Sequence, residues 1–150
     1  MLNKFLNLIY KKKCLVCGCN LNNFTCAKDV ENLCKHCAKD VDELSCFAHR
    51  IYKGVPIYSA YVYDNSIKKL IHGLKFSHKK QASNTLSQYL FNYFKKANSL
   101  NSLENSVVIY PSSYYSRTFE RGFDFMYLIS KEFSKLSKIS LLNDDIISTL

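Results

Sequence analysis

The chain has 150 residues, a formal net charge of +9, and 47% hydrophobic against 22% charged residues. That length admits one ordinary domain, or a small metal-stapled module with a modest second domain, and the composition excludes a disordered chain. Four glycines and two prolines exclude long flexible linkers, and no stretch approaches the roughly 20 apolar residues of a bilayer-spanning helix.

The first fourteen residues read MLNKFLNLIYKKKC, an apolar segment predicted as an N-terminal helix and followed by a basic cluster. A secretory signal has the opposite polarity, a longer apolar core and a small-residue cleavage site. The expected compartment is therefore reducing cytoplasm, where clustered cysteines bind metal more often than they pair as disulfides.

Seven cysteines follow, four of them as Cys14-Leu15-Val16-Cys17 and, after sixteen residues, Cys34-Lys35-His36-Cys37. Two residues between cysteines let a tight turn aim both sulfurs at one point. Two such knuckles supply four thiolates at tetrahedral corners, which suits structural zinc and leaves no open coordination position. Iron also accepts four thiolates, and a redox Cys-x-x-Cys is the rival reading, though it wants a single pair at a helix start. Gly18 stands where the turn needs positive φ. Residues 1–50 are thus expected to form a zinc-ribbon module. Cys19 could replace Cys17 as a ligand. His36 is expected to be exposed or to donate to a sulfur, and Cys26 and Cys46 to be small buried apolar residues.

After Cys46 the cysteines end and a periodic pattern begins. Val55 to Tyr63 is aromatic and β-branched, a strand or hairpin arm. Asp64, Asn65 and Ser66 offer N-cap groups to a helix whose Ile67, Leu70, Ile71 and Leu74 share one face. A second helix is predicted from Gln81 to Ala97, with Leu86, Leu90, Phe91 and Phe94 on one side. Asn98 to Asn105 reads as a polar loop, and Val107 to Tyr110 as a buried parallel strand. Pro111 ends that strand, Ser112 to Glu120 read as a polar loop, and a third helix starts near Phe123, burying Met126, Ile129, Phe133 and Leu136. This order makes residues 51–150 an α/β domain.

Two features of this region suggest ligands. From Asn65 to Leu103 there are seven lysines (Lys68, Lys69, Lys75, Lys79, Lys80, Lys95 and Lys96) and no acid. A field of one sign favours polyanions such as nucleic acid; the plainer reading is a solvated lysine-rich face. The loop after Tyr110 carries Arg117, Arg121 and Gly122 with the hydroxyls of Ser112, Ser113 and Ser116, at the end of a strand and ahead of a helix. That arrangement can cradle a phosphate, although Arg121 could instead pair with Glu120 or Asp124.

The chain resembles the ComF family of phosphoribosyltransferase-like proteins linked to DNA uptake in natural competence. The resemblance runs through the paired cysteines, Ala60-Tyr61-Val62-Tyr63-Asp64, Ile67-Lys68-Lys69-Leu70-Ile71, Leu74-Lys75-Phe76, the strand ending in Pro111, and Arg117 with Arg121-Gly122-Phe123. It implies a zinc ribbon joined to a partial phosphoribosyltransferase-like domain, handling incoming single-stranded DNA or a phosphoribosyl ligand in the cytoplasm, with competence proteins as partners. On this reading Lys68, Lys69, Lys75, Lys79 and Lys80 meet nucleic acid, and Arg117, Arg121 and Gly122 meet phosphate.

The chain departs from the family at Ile109-Tyr110-Pro111-Ser112, where a Val-Pro-Val-Pro-like strand end is usual, and at Asp124-Phe125, where Asn-Gln usually follows the triplet. The paired acids and Thr/Gly-rich loop that hold an activated sugar are imitated by Asp144-Asp145 and Ser148-Thr149, but no glycine follows to free backbone amides. The activated-sugar site is therefore not recognisable in these 150 residues, which leaves the transferase activity that the resemblance implies open, and magnesium is expected only if a longer protein is a transferase. The sequence is expected to continue past Leu150. The alternatives are a zinc-ribbon adaptor that binds nucleic acid or protein without catalysis, and an inactive remnant.

Overall fold

The computed structural model describes residues 11–22, 24–97 and 105–142. The predicted N-terminal helix, most of the 98–105 loop and the Asp144-Asp145 segment lie outside these residues. The fold mixes helix and strand in the order α1 (Lys35–Glu43), β1 (Ser45–Tyr52), β2 (Val55–Tyr61), α2 (Asn65–Phe76), α3 (Gln81–Lys96), β3 (Val107–Val108), α4 (Tyr115–Arg121), α5 (Phe125–Ser137) and β4 (Ser140–Leu141). Two compact units divide after Gly73, within α2. No helix among the described residues is long and apolar enough to cross a membrane.

In the first unit, the cysteine-bearing turns sit on a small core of Val30, Leu33, Ala38 and Val41, all buried. α1 follows from its sequence: Ala38 and Val41 lie on one face, and Lys39 and Glu43 pair across one turn at 3.7 Å on the other. β1 and β2 then form an antiparallel hairpin in which Tyr52 faces Val55. Its two-residue turn, Lys53-Gly54, has φ of +48° and +80°, the type I′ geometry that matches strand twist and favours glycine. Pro56 is tolerated because both strands of a two-stranded sheet are edges. The strand expected over Val55–Tyr63 is thus the second arm of a hairpin that ends at Tyr61. Its partner β1 escaped the sequence pattern because Ser45 to Arg50 alternates no apolar set.

α2 starts where the capping residues predicted, with the Asn65 N–H donating to Asp64 Oδ1 at 2.7 Å. Ile67, Leu70 and Leu74 are buried as the periodicity required and Ile71 is half-buried, while Lys68 and Lys69 are exposed.

In the second unit α3 packs on α5. The face of α3 that is buried carries Ala82, Ser83, Thr85, Ser87, Tyr89 and Tyr93, whereas the predicted Leu86, Leu90, Phe91 and Phe94 are half-buried flanks. Small residues let the helix backbones approach. Ser87 Oγ then donates to the Ile129 carbonyl at 2.7 Å, satisfying a hydroxyl that hydropathy alone would place outside. Phe94 still meets Phe133 ring to ring at 5.5 Å. On α5 Phe133 is buried, Met126 and Ile129 are half-buried, and Leu136 is exposed at 37%, contrary to expectation.

β3 pairs with β4 in parallel, Val107 with Ser140 and Val108 with Leu141. The predicted parallel strand is therefore present but two residues long, and it is not buried on both faces: Val107 is 56% and Ile109 66% exposed. The segment expected to be a loop after Pro111 contains α4, a short helix closed by Gly122 at φ +70°.

Candidate metal centre

Cys14 begins a tight turn in which the Gly18 N–H donates to the Cys14 carbonyl at 2.9 Å and the Cys14 N–H to the Cys19 carbonyl at 2.8 Å. Gly18 takes φ +76°, as the turn demands, and nothing lies within 4 Å of where its Cβ would stand. The strand-like bridge from Lys13 to Asn20 closes the base of this knuckle.

The second pair is built differently from the second knuckle that the spacing suggests. Cys34 is the N-cap of α1, and its sulfur accepts the Cys37 N–H at 3.5 Å, so Cys37 lies in the first helical turn. Both sulfurs therefore sit at the start of a helix. The two halves are laced by main-chain bonds. Leu15 N–H donates to the Asn32 carbonyl at 3.0 Å, Lys35 N–H to Thr25 at 2.9 Å, and Cys26 bridges Cys34. The Cys34 N–H also donates to Cys14 Sγ at 3.5 Å.

All four sulfurs, of Cys14, Cys17, Cys34 and Cys37, lie within 4.8 Å of one another. A tetrahedral zinc with Zn–S bonds of about 2.3 Å has sulfurs about 3.8 Å apart. Cys17 and Cys34 are already 3.7 Å apart, so the set fits a metal ion with modest contraction. Cys14, Cys34 and Cys37 are buried while Cys17 is exposed.

The acid–base character of the thiols also suits a cation. Cys17 is lowered to about 6, chiefly by a hydrogen bond from the Cys19 backbone, whereas burial raises Cys37. Cys19 is raised to about 12, first because its thiol hydrogen-bonds to Cys17. Clustered thiols cannot all ionise together in so small a volume without a positive charge between them. Four donors would leave a bound ion no coordination site for substrate, which is the arrangement of a structural site. Cys19 lies outside the four, His36 is exposed, and the half-buried Cys46 donates its S–H to the Ser59 carbonyl at 3.4 Å.

The other predicted site residues lie elsewhere. Lys68 and Lys69 are exposed on α2, Lys75 is half-buried near its end, and Lys79 and Lys80 are exposed ahead of α3. Arg117 pairs with Glu120 at 3.5 Å on α4. Arg121 instead lies over two rings, 5.8 Å from Phe76 and 5.6 Å from Phe125, and Gly122 follows it as the helix C-cap. Ser112 and Ser113 line an open cleft with Tyr110, Tyr114, Thr118 and Tyr127, beyond the carboxyl end of β3. The amides at the start of α5 are held by Asp124, whose Oδ1 accepts from Met126 N–H at 2.8 Å and Tyr127 N–H at 3.3 Å. Its Oδ2 accepts the Ser113 N–H at 2.7 Å. The sequence pattern missed this anchor, although an acid just before an apolar-periodic run is an N-cap signal.

No family model, curated protein or solved structure matches the chain.

Proposed function

We propose that the chain is a zinc-stapled, ComF-like protein that binds single-stranded DNA rather than transforming a small molecule. The observation that carries this reading is the uninterrupted positive field of residues 65–103, seven lysines without an acid, six of which are exposed on or beside α2 and α3. Such a field neutralises phosphates and releases condensed counterions, a binding mode that needs no catalytic group. Zinc is the metal assigned to the four sulfurs because a closed thiolate set with no open position is its usual structural site. The family resemblance supplies the single strand as the polyanion and competence proteins as partners.

A second reading, a phosphoribosyl ligand, is favoured by the hydroxyl-lined cleft beyond β3, since ligands of parallel sheets bind at strand carboxyl ends. Asp124 stands against it, because that carboxylate already occupies the amides a phosphate would use.

Titration of the zinc-loaded chain with a labelled oligothymidylate and, separately, with phosphoribosyl pyrophosphate decides between them. Expected is oligonucleotide binding that weakens steeply between 50 and 200 mM salt, roughly 10-fold or more for a few phosphate contacts. Binding of the sugar phosphate alone, without the oligonucleotide, would replace the first reading by the second.

A further inference from the structure

Four cations among the described residues of the second unit stand over aromatic rings; apart from Lys131, which lies over Tyr127, three of them belong to one group. Lys75 Nζ stands 4.5 Å from the Phe125 ring centroid, Lys80 Nζ 4.8 Å from Phe123, and Arg121 Cζ lies over both Phe76 and Phe125. His78 meets Phe123 edge-on at 6.2 Å. The residues come from the end of α2, the turn before α3 and the α4–α5 junction, so the fold gathers them from three places in the chain.

How a cation is held decides what it can still do. A carboxylate neutralises it, whereas a ring face orients it and leaves its charge in place. The acids nearest in sequence are committed elsewhere: Glu120 pairs with Arg117, and Asp124 accepts from Ser113, Met126 and Tyr127. The cluster thus keeps three oriented positive charges beside flat apolar rings. One of those rings, Phe76, is 61% exposed.

We infer that Lys75, Lys80 and Arg121 with Phe76 form the strand-binding site, the cations taking backbone phosphates and Phe76 stacking a base. This rests on the proposed reading of the chain as a single-stranded DNA binder and names its contact residues. Alternating cation and aromatic is what a single strand requires, because its phosphates and unpaired bases are both accessible, whereas a duplex hides its base faces. Lys95 and Lys96, exposed at the end of α3, carry equal charge outside this cluster and serve as the comparison.

The test uses the zinc-loaded full chain and an oligothymidylate of about 12 nucleotides, a length matched to small single-strand sites. Affinity is followed by fluorescence anisotropy across a salt series. Lys75→Gln with Lys80→Gln is expected to lower the steepness of log K against log salt by about 1.4, two phosphates' worth, while Lys95→Gln with Lys96→Gln changes it by less than about half of that. Phe76→Ala is expected to weaken binding about 5- to 100-fold at fixed salt without changing the slope, and Phe76→Tyr to restore it. Unchanged circular dichroism and zinc content show that each variant is folded. Equal slope losses in both double variants, or full affinity in Phe76→Ala, would overturn the site while leaving DNA binding intact. Tighter binding of a duplex of the same length would overturn the stacking role. Absence of any oligonucleotide binding by the unaltered chain would remove the underlying reading itself.

Discussion

At Cys34 one residue serves two purposes: it caps α1 with its sulfur and is placed to ligate metal with the same atom. Replacing Cys34 and Cys37 by serine should therefore abolish stoichiometric zinc and unfold the surrounding turns, read by metal analysis and circular dichroism. Cys19→Ser, outside the four, should keep one zinc per chain; its loss would mean that the ligand set is misassigned. Metal uptake has a proton signature as well. Burial keeps Cys37 protonated near neutrality, whereas Cys17, at about 6, is already largely thiolate. Adding zinc at pH 7 in weak buffer should therefore release protons, fewer as the pH rises toward the thiols' own range, and acid should expel the metal. An indicator dye reports this directly. Uptake of zinc with no proton release would exclude coordination by the buried thiols.

Among elements, α5 and the β1–β2 hairpin make contrasting tests. Asp124 caps α5 and ties Ser113 to the same carboxylate, so Asp124→Ala removes a cap and leaves backbone amides unpaired. A loss of about 1–2 kcal/mol is expected, seen as a lower Tm. An unchanged Tm would mean that water replaces the carboxylate without cost. The hairpin depends on its turn: at Gly54 a methyl group would meet nothing within 4 Å, so Gly54→Ala acts only through positive φ. The expected cost is about 1 kcal/mol, read as faster amide exchange across β1 and β2. The helices themselves were legible in part. The i, i+3, i+4 pattern located α2 and α3 nearly to the residue, because apolar periodicity is local information. The apolar side of α3 is not its buried face, since the buried Ser83, Thr85 and Ser87 are polar by composition and are accepted because α5 packs against the helix. The sequence pattern missed β1 because a two-stranded hairpin with Ile51, Tyr52, Val55 and Tyr58 exposed has no inside face to impose alternation.

Across the whole molecule, two units carry separate cores: the first around the four sulfurs and Leu33, the second where α3 meets α5. A chelator should accordingly raise amide exchange at Leu15, Cys34 and Lys35, whose bonds lace the metal turns, and leave the α3–α5 pair protected. Loss of protection throughout would mean that metal stabilises both cores.

The four cysteines that cluster closely enough to hold a metal ion were readable from spacing alone, because two pairs of cysteines two residues apart have few other uses in a chain of this kind. Charge was equally plain, since the absence of acids over residues 65–103 needs no coordinates. Tertiary structure decided the rest. It made the second cysteine pair a helix start, set Arg117 against Glu120, and placed Arg121 on Phe76 and Phe125 instead of at a helix N-terminus. The first two turn on which residues a helix takes in, and the last on Phe76 arriving beside Arg121 from far along the chain, an approach of which sequence spacing carries no record.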